Sequence, residues 1–264
     1  MPAERISVFM NRLIDKVAVI TGAGSETGAA IARLFADEGA QVVLTDTDSD
    51  RLTDTIQEIE EADGVVVSVP CDLASPKACD ELIAKTLENF GRLDILVNNA
   101  SIIEGGLLPL DKARDEDIEK IIDQNLKGTM YLTRAALREM ESADEDAAVV
   151  TITSLAGLNG CGPAAFAAGC AGLLGLTRHV AMRYSGKNIR SNAVCTDELL
   201  PECRNRAETD GLDPDMVGPM LRHLDMKAPV SAPEDIANIA LFLASNESRA
   251  LTGQILVSDF GASL

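Results

Sequence analysis

The 264-residue chain has no tryptophan, two tyrosines (Tyr131 and Tyr184) and two histidines (His179 and His223), so phenols and imidazoles for acid–base work are scarce. Basic residues are also few: 23 Lys plus Arg stand against 42 Asp plus Glu, a formal charge of −19. A chain this acidic has no overall attraction for nucleic-acid phosphates or anionic membrane surfaces, and neither is expected as a partner. No apolar run approaches the roughly 18 residues of a membrane span. Val8-Phe9-Met10 is cut short by Asn11 and Arg12 before it forms a signal-peptide core, which makes the expected location cytoplasmic. The six cysteines (71, 79, 161, 170, 195 and 203) are then expected to be reduced thiols rather than a disulfide framework. None form a C-x-x-C pair and the histidines stand alone, so no metal site is expected.

What is present is an ordinary globular composition, 46% hydrophobic and 25% charged. Val17-Ala18-Val19-Ile20-Thr21 is a continuous apolar run, followed by a glycine-rich turn and an amphipathic stretch over 27–38. The pattern recurs, with strands expected near 41–46, 64–70, 93–98, 147–153, 188–195 and 255–258. Helices are expected near 51–62, 76–90, 115–140, 163–184 and 233–245. Continuous apolar strands between amphipathic helices predict an α/β fold: one doubly wound parallel sheet of about seven strands, with helices on both faces. Residues 1–14 read as an N-terminal extension and 15–264 as a single domain. Residues 197–231 break the rhythm and carry Pro201, Pro214, Pro219 and Pro229. They read either as short helices forming a substrate lid over the strand ends or as an inert insertion.

Gly22-Ala23-Gly24-Ser25-Glu26-Thr27-Gly28 opens the first helix, where backbone N–H groups and a helix N-terminus can hold a pyrophosphate. Asp46 ends the second strand, where a carboxylate accepts from adenosine ribose hydroxyls and repels a 2′-phosphate. Asp48 and Asp50 add to that repulsion, so NAD is expected in preference to NADP.

At these residues the chain resembles the short-chain dehydrogenase/reductase family, whose turn is T-G-x-x-x-G-x-G: Thr21, Gly22 and Gly28 match, and Glu26 replaces the middle glycine. Glu26 either faces the diphosphate or complements the helix N-terminus while pointing away. Further matches follow in the family's order. Cys71-Asp72-Leu73 resembles the segment framing the adenine, Asn98-Asn99-Ala100-Ser101 the Asn-Asn-Ala-Gly motif, and Asn125-Leu126-Lys127-Gly128 the segment with the catalytic asparagine. Ser154 matches the catalytic serine, and Thr196-Asp197 stands where the family has Pro-Gly, near the nicotinamide amide. The resemblance implies a Rossmann-type fold and a dinucleotide site of Gly22, Ser25, Glu26, Thr27, Gly28, Asp46, Asp72, Leu73, Asn98, Ala100 and Thr196.

The resemblance breaks at the chemistry. Where the family has Tyr-x-x-x-Lys on one helix face, this chain has Phe166-Ala167-Ala168-Gly169-Cys170, one residue closer to Ser154 than the family spacing. Phe166 has no proton to exchange, and Cys170 supplies neither a cation to lower a phenol's pKa nor the ribose contact of the lysine, which implies weak NAD affinity. Three readings stand. The first is a protein that keeps the fold and some NAD affinity without standard turnover, in company with an active family member or alone. The second is an active NAD-dependent enzyme on a small alcohol or carbonyl compound, using Ser154, Asn125 and water. The third is thiol or metal chemistry, with Cys161, Cys170 and Cys195 converging at the sheet's C-terminal edge with Ser154. The Ala- and Gly-rich stretch from Ala164 to Gly175, like the family's paired helices, implies a homodimer or homotetramer.

Overall fold

The computed structural model describes residues 11–103, 109–197, 214–220, 222, 225 and 227–264. Pro201, Cys203 and His223, and with them much of the lid expected over 197–231, lie outside the described residues.

Seven parallel strands form one sheet in the order β3-β2-β1-β4-β5-β6-β7. They are β1 (Val17–Thr21), β2 (Gln41–Thr45), β3 (Val65–Ser68), β4 (Ile95–Asn98), β5 (Ala147–Ser154), β6 (Ile189–Thr196) and β7 (Ile255–Ser258). β1, β4 and β5 are buried at every residue, the physical reason they read as unbroken apolar runs. The described α-helices are α1 (Glu26–Asp37), α2 (Thr53–Glu61), α3 (Pro76–Phe90), α4 (Asp115–Ile121), α5 (Thr129–Ala143), α6 (Ala156–Asn159), α7 (Ala164–Arg183), α8 (Pro214–Met220) and α9 (Pro233–Ala244). On one face Ile31 and Phe35 of α1 join Ile236 and Leu243 of α9 against the sheet; on the other, Leu82 of α3 joins Leu132 and Met140 of α5.

Three details depart from the periodicity. The helix expected over 115–140 is two helices joined by a π turn, Ile122–Gly128, which places Asn125 at the widening. The four-residue α6 follows Ser154 without an apolar period to announce it. Leu13, read as part of an extension, is 1% exposed and packs into the core, with its amide donating to the Glu38 carbonyl. Helix α7, with 20 residues, has the length and apolarity of a membrane span, yet Phe166, Cys170, Leu173, Thr177 and Val180 lie buried against the protein.

At the N-terminal edge of the sheet, Asp94 ties β1 to β4. Its carboxylate accepts from the Val17 amide at 2.9 Å, from Lys16 Nζ at 3.0 Å and from both ends of the Arg92 guanidinium at 2.8 and 2.6 Å. Burial opposes the charge, but the bonds from Arg92, the Val17 amide and Lys16 prevail and hold the carboxyl below its usual range. Because the folded pKa lies below the unfolded value of about 3.9, the contribution is complete above that pH and lost as pH falls through the folded value. Asp94→Ala is expected to cost about 3 kcal/mol in denaturant unfolding at pH 7, and the difference from the parent should shrink below about pH 4.

Candidate functional site

Strand order reverses between β1 and β4, and a cleft of about 180 Å³ opens there at the strands' C-terminal ends. Gly22, Ser25, Asp46, Leu73, Ala100 and Asn125 are among the residues lining it. The first turn is compact because its glycines leave no room for a side chain. Gly22 has φ of +61°, and a Cβ there would stand 2.7 Å from Ala100 Cα. Ser25 caps α1, its Oγ accepting from the Gly28 amide at 3.1 Å and donating to the Gly22 carbonyl at 2.8 Å. Glu26 is exposed in the first turn of α1, where a carboxylate complements the helix N-terminus. Thr27 is buried beside it.

Asn99, the second asparagine of the Asn98-Asn99-Ala100-Ser101 motif, locks this turn. Its Nδ2 donates to the Thr21 carbonyl at 3.1 Å, the Gly22 carbonyl at 3.1 Å and Ser25 Oγ at 3.2 Å. Thr21 Oγ1 in turn accepts from the Asn99 and Ala100 amides, both at 2.9 Å. Asn98 points away from the cleft, donating to Thr133 Oγ1 at 3.0 Å. Asp72 is exposed and accepts from Gln124 Nε2 at 2.9 Å, while Leu73 faces the cleft.

Asp46 is 9% exposed and accepts from the Gly24 amide at 3.2 Å. Arg51, to which the sequence reading gave no role, reaches back to the same place: Nη2 donates to the Gly24 carbonyl at 3.1 Å and Nη1 lies 3.8 Å from Asp46 Oδ1. Thr45, also lining the cleft, has a buried hydroxyl with no hydrogen-bond partner among the described residues.

At the other end, Asn125 is clasped to the backbone of Ile102, accepting from its amide at 2.9 Å and donating to its carbonyl at 2.6 Å. Ser154 Oγ accepts from the Ala156 amide at 3.1 Å, fixing the start of α6. Phe166 and Cys170, one turn apart on α7, are 6% and 3% exposed in an apolar cluster with Ile121, Ala156 and Ala165. Thr196 is buried and its hydroxyl donates to the Thr153 carbonyl; the Asp197 carboxylate accepts from the Ser231 amide at 3.3 Å. Cys195 lies close enough to Cys170 to feel its charge, and burial first, then Cys170, push its thiol up to about 12. Burial raises Cys161 as well. Such thiols are poor nucleophiles at neutral pH.

Known proteins match this chain along nearly its whole length. The family described as Enoyl-(Acyl carrier protein) reductase matches residues 22–263. The chain belongs to the short-chain dehydrogenase/reductase family of oxidoreductases. It is 34% identical over 262 residues to 3-oxoacyl-[acyl-carrier-protein] reductase FabG of Thermotoga maritima, covering 95% of this chain and 98% of the relative. A short chain dehydrogenase from Mycobacterium smegmatis superposes with TM-score 0.77 at 32% identity, covering 94% of this chain and 92% of that one. Carveol dehydrogenase from Mycobacterium avium, solved in complex with NAD, superposes with TM-score 0.82 at 28% identity over 95% of this chain and 98% of that one.

Proposed function

We propose that the cleft between β1 and β4 binds NAD(H) and that the chain has lost the family's standard proton-transfer pair, so that its hydride-transfer chemistry is impaired or absent. The observation that carries this reading is the pair Phe166 and Cys170, buried on one face of α7 among Ile121, Ala156 and Ala165, where the resemblance places tyrosine and lysine. A phenyl ring has no dissociable proton, and an apolar cluster disfavours any charge placed in it. NAD would supply a hydride acceptor. Gly22, Ser25, Thr27 and Gly28 would hold its pyrophosphate against α1, Asp46 and the unpartnered Thr45 hydroxyl would meet the adenosine ribose, and Leu73 and Ala100 would wall the base and ribose.

Cofactor choice rests on Asp46 with Arg51 beside it. NAD(H) is expected to bind at least about tenfold more tightly than NADP(H), and Asp46→Ala should narrow the gap by leaving the Arg51 guanidinium free to meet a 2′-phosphate. Calorimetric titration with NADH and NADPH checks this, and equal affinities in the parent protein would remove the ribose role from Asp46. The exposed small residues of α7, Ala168, Ala171 and Gly175, support close pairing of helices between copies, hence a homodimer or homotetramer.

A second reading is favoured by the relatives, which are named as reductases and dehydrogenases: an active NAD-dependent enzyme on a small alcohol or carbonyl compound. In it Ser154 and Asn125 orient the substrate and a water carries the proton. The two readings differ in the turnover of the unmodified protein at saturating cofactor.

A further inference from the structure

A dinucleotide crosses the point where strand order reverses, with one mononucleotide half on each side of it. The cleft serves these halves unequally. Its walls come from the ends of β1 and β2, the 71–73 segment, the end of β4 and the π turn, whereas Ser154, Phe166, Cys170 and Thr196 are not among its described lining residues. At about 180 Å³ it is smaller than the roughly 300–1,000 Å³ of pockets that enclose a drug-sized ligand, and a whole dinucleotide is larger than such a ligand. Building on the NAD(H) reading above, we propose that the cleft is a site for ligands bearing adenosine 5′-diphosphate, ADP-ribose among them, and that it takes NAD(H) through that half alone.

On the β2 side the cleft offers polar groups to a ligand. Thr45, 1% exposed, lines it with a hydroxyl that has no partner among the described residues, whereas Thr153 and Ser191, whose buried hydroxyls are in the same condition, do not line it. A buried hydroxyl left unpaired costs stability that a ligand's polar atom restores. Next to it the Asp46 carboxylate accepts from the Gly24 amide, the Asp48 amide and the Thr47 hydroxyl, which leaves room for a ribose hydroxyl, since a carboxylate accepts about four bonds. Arg51 is the one cationic side chain among the described lining residues, and on a chain of charge −19 it gives an anionic ligand a local partner. On the β5 side the packing is apolar. Ile102 and Ile103 lie against Ile121, Ala156, Phe166 and Cys170, and Asn125 fixes that segment by holding the Ile102 amide and carbonyl. The Ser154 hydroxyl is engaged by the Ala156 amide and the Thr196 hydroxyl by the Thr153 carbonyl. Nicotinamide carries a carboxamide, and burying it against this cluster without new hydrogen bonds offsets what its ring gains, so that half stays in water and adds no affinity.

Calorimetric titration of the full chain with ADP-ribose, NADH and nicotinamide mononucleotide tests this. ADP-ribose and NADH are expected to bind with dissociation constants within about fivefold of each other, and nicotinamide mononucleotide should show no binding at about 5 mM. Because the chain has no tryptophan, the emission of bound NADH is read without interference, and it should keep the wavelength of free NADH, as for a nicotinamide left in water. Thr45→Val removes the unpaired hydroxyl at nearly constant shape. Its urea midpoint should equal or exceed the parent's, while ADP-ribose and NADH both weaken by about three- to tenfold. NADH tighter than ADP-ribose by more than about fivefold, a blue-shifted emission of bound NADH, or binding of nicotinamide mononucleotide overturns the proposal and leaves the NAD(H) reading standing. ADP-ribose binding with no NADH binding at about 5 mM upholds the adenosine-diphosphate site and overturns the NAD(H) reading. No binding of either overturns both. A folded Thr45→Val protein with parental affinity for ADP-ribose overturns the placement of the adenosine against β2.

Discussion

Gly28→Ala is expected to destabilise the protein by about 3 kcal/mol, the upper end of overpacking costs, and to abolish measurable dinucleotide binding. A Cβ at Gly28 would lie 2.2 Å from the Gly22 carbonyl oxygen, 2.8 Å from Ala23 Cα and 2.8 Å from Asn99 Nδ2. The first two are backbone atoms of a turn that cannot retreat, because Gly22 is itself in the left-handed region and pressed against Ala100. The third is the amide that ties Thr21, Gly22 and Ser25 together, so pushing it aside breaks several bonds at once. Gly175→Ala is the contrasting variant: among the described residues of its own copy nothing lies within 4 Å of an added Cβ, so it should leave NADH binding at the parental level, with helix propensity adding up to about 1 kcal/mol of stability where no second copy packs against it. Urea unfolding and NADH titration of the two variants check both. A Gly28→Ala protein with parental midpoint and affinity would show that the turn is looser than these contacts require.

The same turn shows where sequence was legible and where it was not. A parallel strand buried on both faces leaves a continuous apolar run, so β1 was placed to the residue and β5 to within one, while β7, half-buried at the sheet edge, was placed by its short apolar run Ile255-Leu256-Val257. Glycines with a steric duty were legible for a similar reason: at the opening of a helix after such a strand, only a close approach of backbone demands them. Arg51 and the role of Asn99 were not, because each acts across the fold, Arg51 on Gly24 and Asp46 from the start of the next element and Asn99 on the β1 turn from the end of β4. The π turn at Asn125 was hidden because one extra residue in a helix barely disturbs the apolar period, and its stabilising clasp to Ile102 is a tertiary contact. Leu13 reads as part of an extension since the pair Leu13-Ile14 between Arg12 and Asp15 is too short to show a period, and only the packing of Leu13 and its contact with the Glu38 carbonyl reveal its place. For Phe166 and Cys170, sequence spacing put both on one face, and the apolar character of their neighbours emerged from α4 and α6 packing there.

At saturating NAD or NADH, the unmodified protein is expected to interconvert alcohols and ketones far below about 1 per second, since a positioned general acid alone contributes about 10²–10⁴-fold. Phe166→Tyr should leave the rate unchanged. Its phenol, with an ordinary pKa near 10 and no cation beside it, would hold its proton, and burying the hydroxyl among Ile121 and Ala156 would cost about 1–3 kcal/mol. Cys170→Lys should destabilise more, because an ammonium would replace a thiol that is 3% exposed in the same cluster. Stopped assays with a broad substrate panel, run on protein whose NADH affinity has been measured in the same preparation, separate a cleft that binds without turnover from one that does not bind. The contrary result is specific: turnover of about 1 per second or faster by the unmodified chain, abolished by Ser154→Ala. Ser154 Oγ accepts from the Ala156 amide at the start of α6, so such a result would require that hydroxyl to serve the substrate as well, with water delivering the proton that Phe166 lacks.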